Sequence, residues 1–143
     1  MTELLLLHVL LTCFMTGLIW FVQIVHYPMF ADVGRTEFSS YEIRHNQRTT
    51  WIVAPIMIAE LATGMFIAVR IEGNELAAAV GVGLILMIWL STAVLQVPEH
   101  RRLMAGFDAR SWRRLVLTNW IRTSAWTVRA FLTLHIVRDQ LLH

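Results

Sequence analysis

Lysine is absent from the 143 residues, so all 12 basic side chains are arginine. That excludes Schiff-base chemistry and lysine nucleophiles, both of which need a primary amine. Cysteine occurs once, as Cys13 inside an apolar run, which excludes an intrachain disulfide and fits a packing role. The excess of positive charge is equally small: a formal net charge of +2 does not suit a nucleic-acid partner. What the chain has in quantity is apolar surface, at 57% hydrophobic residues with a mean hydropathy of +0.58. Soluble domains sit nearer ~45–50% apolar, so the composition is that of an integral membrane protein.

The apolar residues fall into four runs, at about 4–26, 51–70, 76–97 and 114–137, each near the ~20 residues that a helix needs to cross a hydrocarbon core. The first run lacks a basic leader and a small-residue cleavage pattern and ends in Gln23 and His26, so it reads as a retained helix rather than a signal peptide. Between the first two runs, Phe38, Tyr41, His45 and Arg48 recur at helical spacing, which predicts an amphipathic helix at the interface that can run on into the second run. Pro55 is expected to bend the second helix, and Gly81 and Gly83 to permit close helix contact in the third. Asp108 is placed to cap the fourth. The expected fold is therefore all-α, a single four-span membrane domain forming a four-helix bundle from two tandem helical hairpins, with interfacial helical segments.

Arginine is distributed unevenly. Arg35, Arg44, Arg48, Arg101, Arg102, Arg110, Arg113 and Arg114 lie in the two long polar segments, against Arg70 and Arg138 on the opposite side. The positive-inside rule then predicts an inner-membrane protein with both termini periplasmic and the polar ends of both hairpins cytoplasmic.

Those polar ends repeat one another. Gln96-Val97-Pro98 reproduces the spacing of His26-Tyr27-Pro28, Asn119-Trp120-Ile121-Arg122-Thr123 that of His45-Asn46-Gln47-Arg48-Thr49, and Phe38 and Trp112 each stand seven residues ahead of the second motif. A pseudo-two-fold axis along the membrane normal would set His26 against Gln96 and His45 against Asn119. Histidines on the first hairpin thus correspond to amides on the second.

Three histidines, His26, His45 and His100, belong to the same end of three different elements, and imidazole is the commonest metal ligand near neutral pH. With Glu60 as a carboxylate from below, serving as ligand or proton acceptor, the set suits iron, copper or zinc. No HExxH or CxxC spacing is present, and Glu99-His100-Arg101-Arg102 reads equally well as a solvated turn. His8, His135 and His143 fall toward the other side of the membrane. Gln23, Gln96 and Asn119, with Arg48 and Arg122, would give the same pocket donors for an oxygen-rich ligand, and Trp51, Trp112, Trp120 and Trp126 stacking surfaces. Helix four carries Asn119, Arg122, Trp126 and Arg129 on one face, and Glu60 and Arg129 are each other's expected partners within the membrane, either as a structural lock or as part of a site.

The four runs, the His26-Tyr27-Pro28 turn, the Arg48-Thr49 start of the second run and the Asn119-Trp120-Ile121-Arg122-Thr123 start of the fourth resemble small uncharacterised bacterial four-helix membrane proteins, and among named families the anthrone-oxygenase-like proteins. The resemblance covers the architecture of most of the chain and implies an oxygenase or isomerase-like activity on a hydrophobic ring compound. A second likeness is to the four-helix protoporphyrinogen oxidase that binds haem b, whose pattern puts a histidine and a lysine in the spans. The leading expectation is a membrane oxidoreductase. In it His26, His45 and His100 hold a metal or haem, Glu60, Arg48 and Arg122 are catalytic, and Gln23, Gln96, Asn119, Trp126 and Arg129 bind a lipophilic ring substrate. Its rivals are a non-catalytic subunit of a homo-oligomer or larger membrane complex, and a small transporter gated by Glu60 and Arg129.

Overall fold

In the computed structural model, which describes residues 1–142, the chain is helical, with no strand among those residues. The leucine-rich first run forms α1 (Thr2–Phe21), with Glu3 in the first turn, where a carboxylate favours the positive end of the helix dipole. Val22–His26 continues it as a π-helical turn, in which the Tyr27 N–H donates to Val22 O at 2.9 Å. Pro28 follows, and it has no N–H with which to keep an α register to Ile24. It opens a 3-10 turn, Pro28–Asp32, at the position where a missing N–H costs nothing.

The helix α2 (Phe38–Arg70) runs through 33 residues with Pro55 inside it. At 1.5 Å per residue it is roughly 50 Å long, well beyond a hydrocarbon core of about 30 Å. The segment holding Phe38, Tyr41, His45 and Arg48 is helical and runs on into the second run, forming the first turns of the second long helix. Gly73, at a φ of 79° that a side chain rarely tolerates, turns the chain into α3 (Glu75–Ser91). A second π-helical turn, Thr92–Gln96, follows, its Val97 N–H bonded to Thr92 O. Pro98 again stands one residue later, so the repeat seen in the sequence is also a repeat of backbone geometry. The short helix α4 (Val97–Met104) and a break at Gly106 lead to α5 (Ala109–Leu142). Asp108 caps it as expected, its Oδ2 accepting the Ser111 N–H at 2.8 Å, and these hydrogen bonds hold the carboxyl below the usual carboxylate range.

α1 packs against α2 and α5, and α3 packs against the same two; α4 covers α2 and α5 at the polar end. The main core runs from Met15, Ile19 and Trp126 up to Phe30, Phe38, Leu103 and Leu115, and a smaller one, of Leu5, Ile67, Ile71, Ala78 and Ile136, lies at the opposite end. The close helix approach is made at Gly64, where a Cβ would stand 2.8 Å from Ile85 Cδ1 and 3.1 Å from His8 Cε1. Gly81 and Gly83 do not make the contact expected of them: a Cβ at Gly81 would meet Leu132 only at 3.7 Å, and one at Gly83 would meet nothing within 4 Å.

Polarity is inverted relative to a soluble protein. Glu42, Glu60, Asn119 and Arg129 are at most 1% exposed, while Leu10, Ile58, Leu90 and Phe131 are all more than half exposed. Three helical stretches, Thr2–Asp32, Phe38–Arg70 and Glu75–Met104, are long and apolar enough to cross a membrane. α5 is not among them, because Asn119, Arg122 and Arg129 lower its hydropathy. All three are buried against the other helices, and Leu117, Val128 and Phe131 face outward.

Candidate metal centre

At the polar end, the π turn after α1 presents His26, the first turns of α2 present Glu42 and His45, and α4 presents His100. His26 Nε2 and His45 Nδ1 are 2.9 Å apart, and the His45 and His100 rings are 5.6 Å apart, centroid to centroid. The three histidines thus converge, as their places in the sequence implied. Their carboxylate is Glu42, which is fully buried and whose Oε1 lies 2.5 Å from His100 Nδ1. Glu42, His45 and His100 each offer a ligand atom, and these atoms lie within 4.8 Å of one another.

Hydrogen bonds orient each member. Asn46 Nδ2 donates to Glu42 Oε1 at 2.8 Å, while Glu42 Oε2 is buried with no partner. Tyr27 hydroxyl and His100 Nε2 are 2.9 Å apart, and the Trp112 indole N–H donates to the Tyr27 carbonyl at 2.8 Å. His45 Nδ1 is occupied by His26 and, at 3.2 Å, by the Thr49 hydroxyl, which leaves Nε2 as its open ligand atom. The expected solvated turn at 99–102 is packed instead: Glu99 and His100 are buried, and Glu99 pairs with Arg102 at 2.9 Å and Arg114 at 3.4 Å.

Beside this cluster lies a cavity of about 230 Å³, walled by Met15, Leu18, Ile19, Val22, Val53, Met57 and Trp89 and bordered on its polar side by Tyr27, His45, Gln96, His100 and Arg122. An outer groove shares His45 and is lined by His26, Tyr41, Arg44 and the exposed Arg48.

The remaining expected site residues stand elsewhere. Glu60 cannot join the cluster, because 15 residues of helix place it roughly 22 Å below His45. It pairs with Arg129 at 2.9 Å and accepts from the Thr12 hydroxyl at 2.8 Å and the Trp126 indole at 3.1 Å. His8 belongs to this second centre: its Nδ1 lies 2.7 Å from the Thr63 hydroxyl and its Nε2 3.2 Å from Arg129 Nη2. The Thr63 proton goes to Ala59 O, so His8 donates from Nδ1 and accepts from arginine at Nε2, the neutral tautomer. Trp126 and Arg129 therefore do not line the cavity. Neither do Gln23 and Asn119, which bond each other at 2.9 Å.

The expected cross-pairs of the repeat do not form. Gln96 bonds Ser91 and Thr118 rather than His26, and Asn119 bonds Gln23 and Arg122 rather than His45. Of the tryptophans expected to stack on a ligand, Trp51 is 83% exposed and Trp120 packs edge-on against Trp20, whereas Trp89 lines the cavity. His143 lies outside the described residues. Glu42, Tyr27 and Trp89 went unread in the sequence, although Glu42 stands three residues before His45 on one helical face. Compared with known proteins, the chain matches no family model, no curated protein and no solved structure, so the site is read from its own geometry.

Proposed function

We propose that the chain is a four-span inner-membrane protein, two tandem helical hairpins closed into a bundle, that uses a bound metal ion to oxidise a lipophilic ring compound with dioxygen as the electron acceptor. In this reading α5 is the fourth span, both termini are periplasmic, and the site faces the cytoplasm. One observation carries the proposal: a buried carboxylate and two partly buried imidazoles, Glu42, His45 and His100, within reach of a single ion and adjoining an apolar chamber. Two histidines and a carboxylate with open positions are the donor set of mononuclear non-haem iron oxygenases, and neutral nitrogens with an anionic oxygen hold a divalent cation well. The partnerless Glu42 Oε2 and the open His45 Nε2 fit the same assignment, since a cation would satisfy both. Bound there, a redox-active ion would supply the electron transfer that no side chain of this site provides.

The chain's own residues have definite parts in this reading. His26 accepts from His45 Nδ1 and so fixes the tautomer that leaves Nε2 for the metal. Tyr27 orients His100 in the same way. Gln96 and Arg122 border the chamber where a substrate's oxygens would lie, and the apolar wall excludes water. The transporter reading gains nothing from the Glu60–Arg129 pair, which is held by Thr12, Trp126 and His8 with a void of only about 20 Å³ beside it.

The test is metal content per chain, measured on protein extracted from membranes without chelator or added nickel. Wild type should carry close to one ion per chain. His45→Ala and His100→Ala should each remove most of it, and His26→Ala should lower affinity about 10- to 100-fold as the loss of an orienting partner does. Gln96→Ala and Asn119→Ala should leave it bound. Full retention in both His45→Ala and His100→Ala would end the proposal, as would a wild type without stoichiometric metal; a haem spectrum would replace the single ion by haem.

A further inference from the structure

Among the described residues four buried side-chain atoms have no hydrogen-bond partner: Glu42 Oε2, Trp89 Nε1, Arg122 Nε and Arg129 Nε. Two of the three nitrogens belong to residues lining the same cavity of about 230 Å³. Buried donors in native proteins are nearly always paired, so two orphaned donors on residues that line one chamber point to that chamber as the place to look for a ligand's acceptors.

Arg122 differs from the other buried arginine. Arg129 has the Glu60 carboxylate at 2.9 Å, whereas Arg122, 6% exposed, has no ion-pair partner among the described residues. Its guanidinium donates to Asn119 Oδ1 at 3.2 Å, lies over the Trp126 ring at 5.5 Å, and stands beside the Tyr27 phenol. Glu60, already paired with Arg129, lies beyond the Trp126 ring, and Glu42 is reached only through Tyr27 and His100. A cation buried among neutral groups is the costly half of an ion pair. A divalent ion on Glu42 would take up even that remote compensation and leave the chamber with more positive than negative charge.

We infer that the cavity binds an amphiphilic ring anion, with a carboxylate or phenolate oxygen on Arg122, a second, neutral oxygen on the Trp89 indole N–H, and the ring body against Met15, Ile19, Val53 and Met57. The inference rests on the reading of this cavity as the substrate chamber and names the substrate class. Charge selects the ligand, since a guanidinium forms with an anionic oxygen a charge-assisted pair, bidentate with a carboxylate, that a neutral amide does not reproduce. The indole adds an acceptor requirement without adding charge.

The probes are 6-hydroxy-2-naphthoate and its neutral isostere 6-hydroxy-2-naphthamide, whose ring hydroxyl supplies the second, neutral oxygen, titrated by calorimetry into detergent-solubilised protein stripped with EDTA, with metal content taken on the same preparation before stripping. Wild type should bind naphthoate saturably, one per chain and at least about tenfold tighter than the amide. Arg122→Gln should bring naphthoate down to the affinity of the amide. Trp89→Phe keeps an aromatic side chain but removes the N–H together with part of the indole's volume; it should weaken both ligands about 2- to 10-fold and preserve the preference between them. Equal binding of the two probes by wild type, the absence of saturable binding, or a preference that survives Arg122→Gln would overturn the inference. Should Arg122→Gln fail to fold, the wild-type preference and the Trp89→Phe result decide it. Preference without metal would sink only the metal reading, and metal without preference would sink only this one.

Discussion

Glu60 and Arg129 illustrate how two charges can be kept inside a membrane protein. Each is about 1% exposed and they lie 2.9 Å apart, with the remaining carboxylate capacity taken by the Thr12 hydroxyl and the Trp126 indole. Removing one partner strands the other, at a cost of about 3–5 kcal/mol, whereas removing both leaves amides that can bond each other. Glu60→Gln and Arg129→Gln should each therefore lower stability by more than the double variant does, as read from melts in detergent; additive losses would mean that the pair is not coupled. The pair was legible in the sequence because Glu60 is the one acid in the second run and Arg129 the deeper of two arginines on one face of the fourth. Glu42 was not, because Tyr41-Glu42-Ile43-Arg44 has the look of a solvated helical face, and its burial depends on α4 folding across it. His8 was set apart from the histidine site, as the structure has it, but its partners Thr63 and Arg129 were not foreseen, since a single histidine in an apolar helix gives no sign of which buried group it will meet.

At the level of elements, the two π-helical turns set the site. Each adds a residue to the backbone turn ahead of a proline, Pro28 or Pro98, and each carries a buried glutamine, Gln23 or Gln96, whose amide reaches α5. The sequence repeat located both turns without showing their geometry, since nothing in the side-chain pattern separates a π turn from an α turn. The continuity of α2 was foreseen as an option but not decided, because the change from polar to apolar at Thr50 and Trp51 also reads as a boundary. Helix contact is another matter of neighbours. Gly64→Ala would drive a methyl into Ile85 and the His8 ring and should cost about 1–3 kcal/mol. Gly83→Ala meets nothing and should stabilise by up to about 1 kcal/mol through helix propensity. Thermal melts of the two variants check this directly, and a reversal of their order would contradict the packing of α1 and α3 on α2.

The whole molecule is an inverted solid, with polar groups paired inside and apolar side chains outside, and that distribution was readable from composition alone. The proposed orientation rests on arginine: eight in the segments around the site against Arg70 and Arg138 at the other end. Alkaline phosphatase fused after His143 should therefore be active and a fluorescent protein at the same place dark, while the opposite pair of results would turn the site toward the periplasm. The central claim is narrower than topology, and it can be put to two carboxylates on one helix. Sequence pattern favoured Glu60 as the acid of the metal site; the folded chain puts Glu42 beside His45 and His100, with Glu60 roughly 22 Å from His45 along α2. The most direct test is metal per chain in Glu42→Gln and Glu60→Gln, purified side by side with wild type. Loss of the ion from Glu42→Gln with retention in Glu60→Gln is the predicted result. Full retention in Glu42→Gln, or loss confined to Glu60→Gln, would contradict the account.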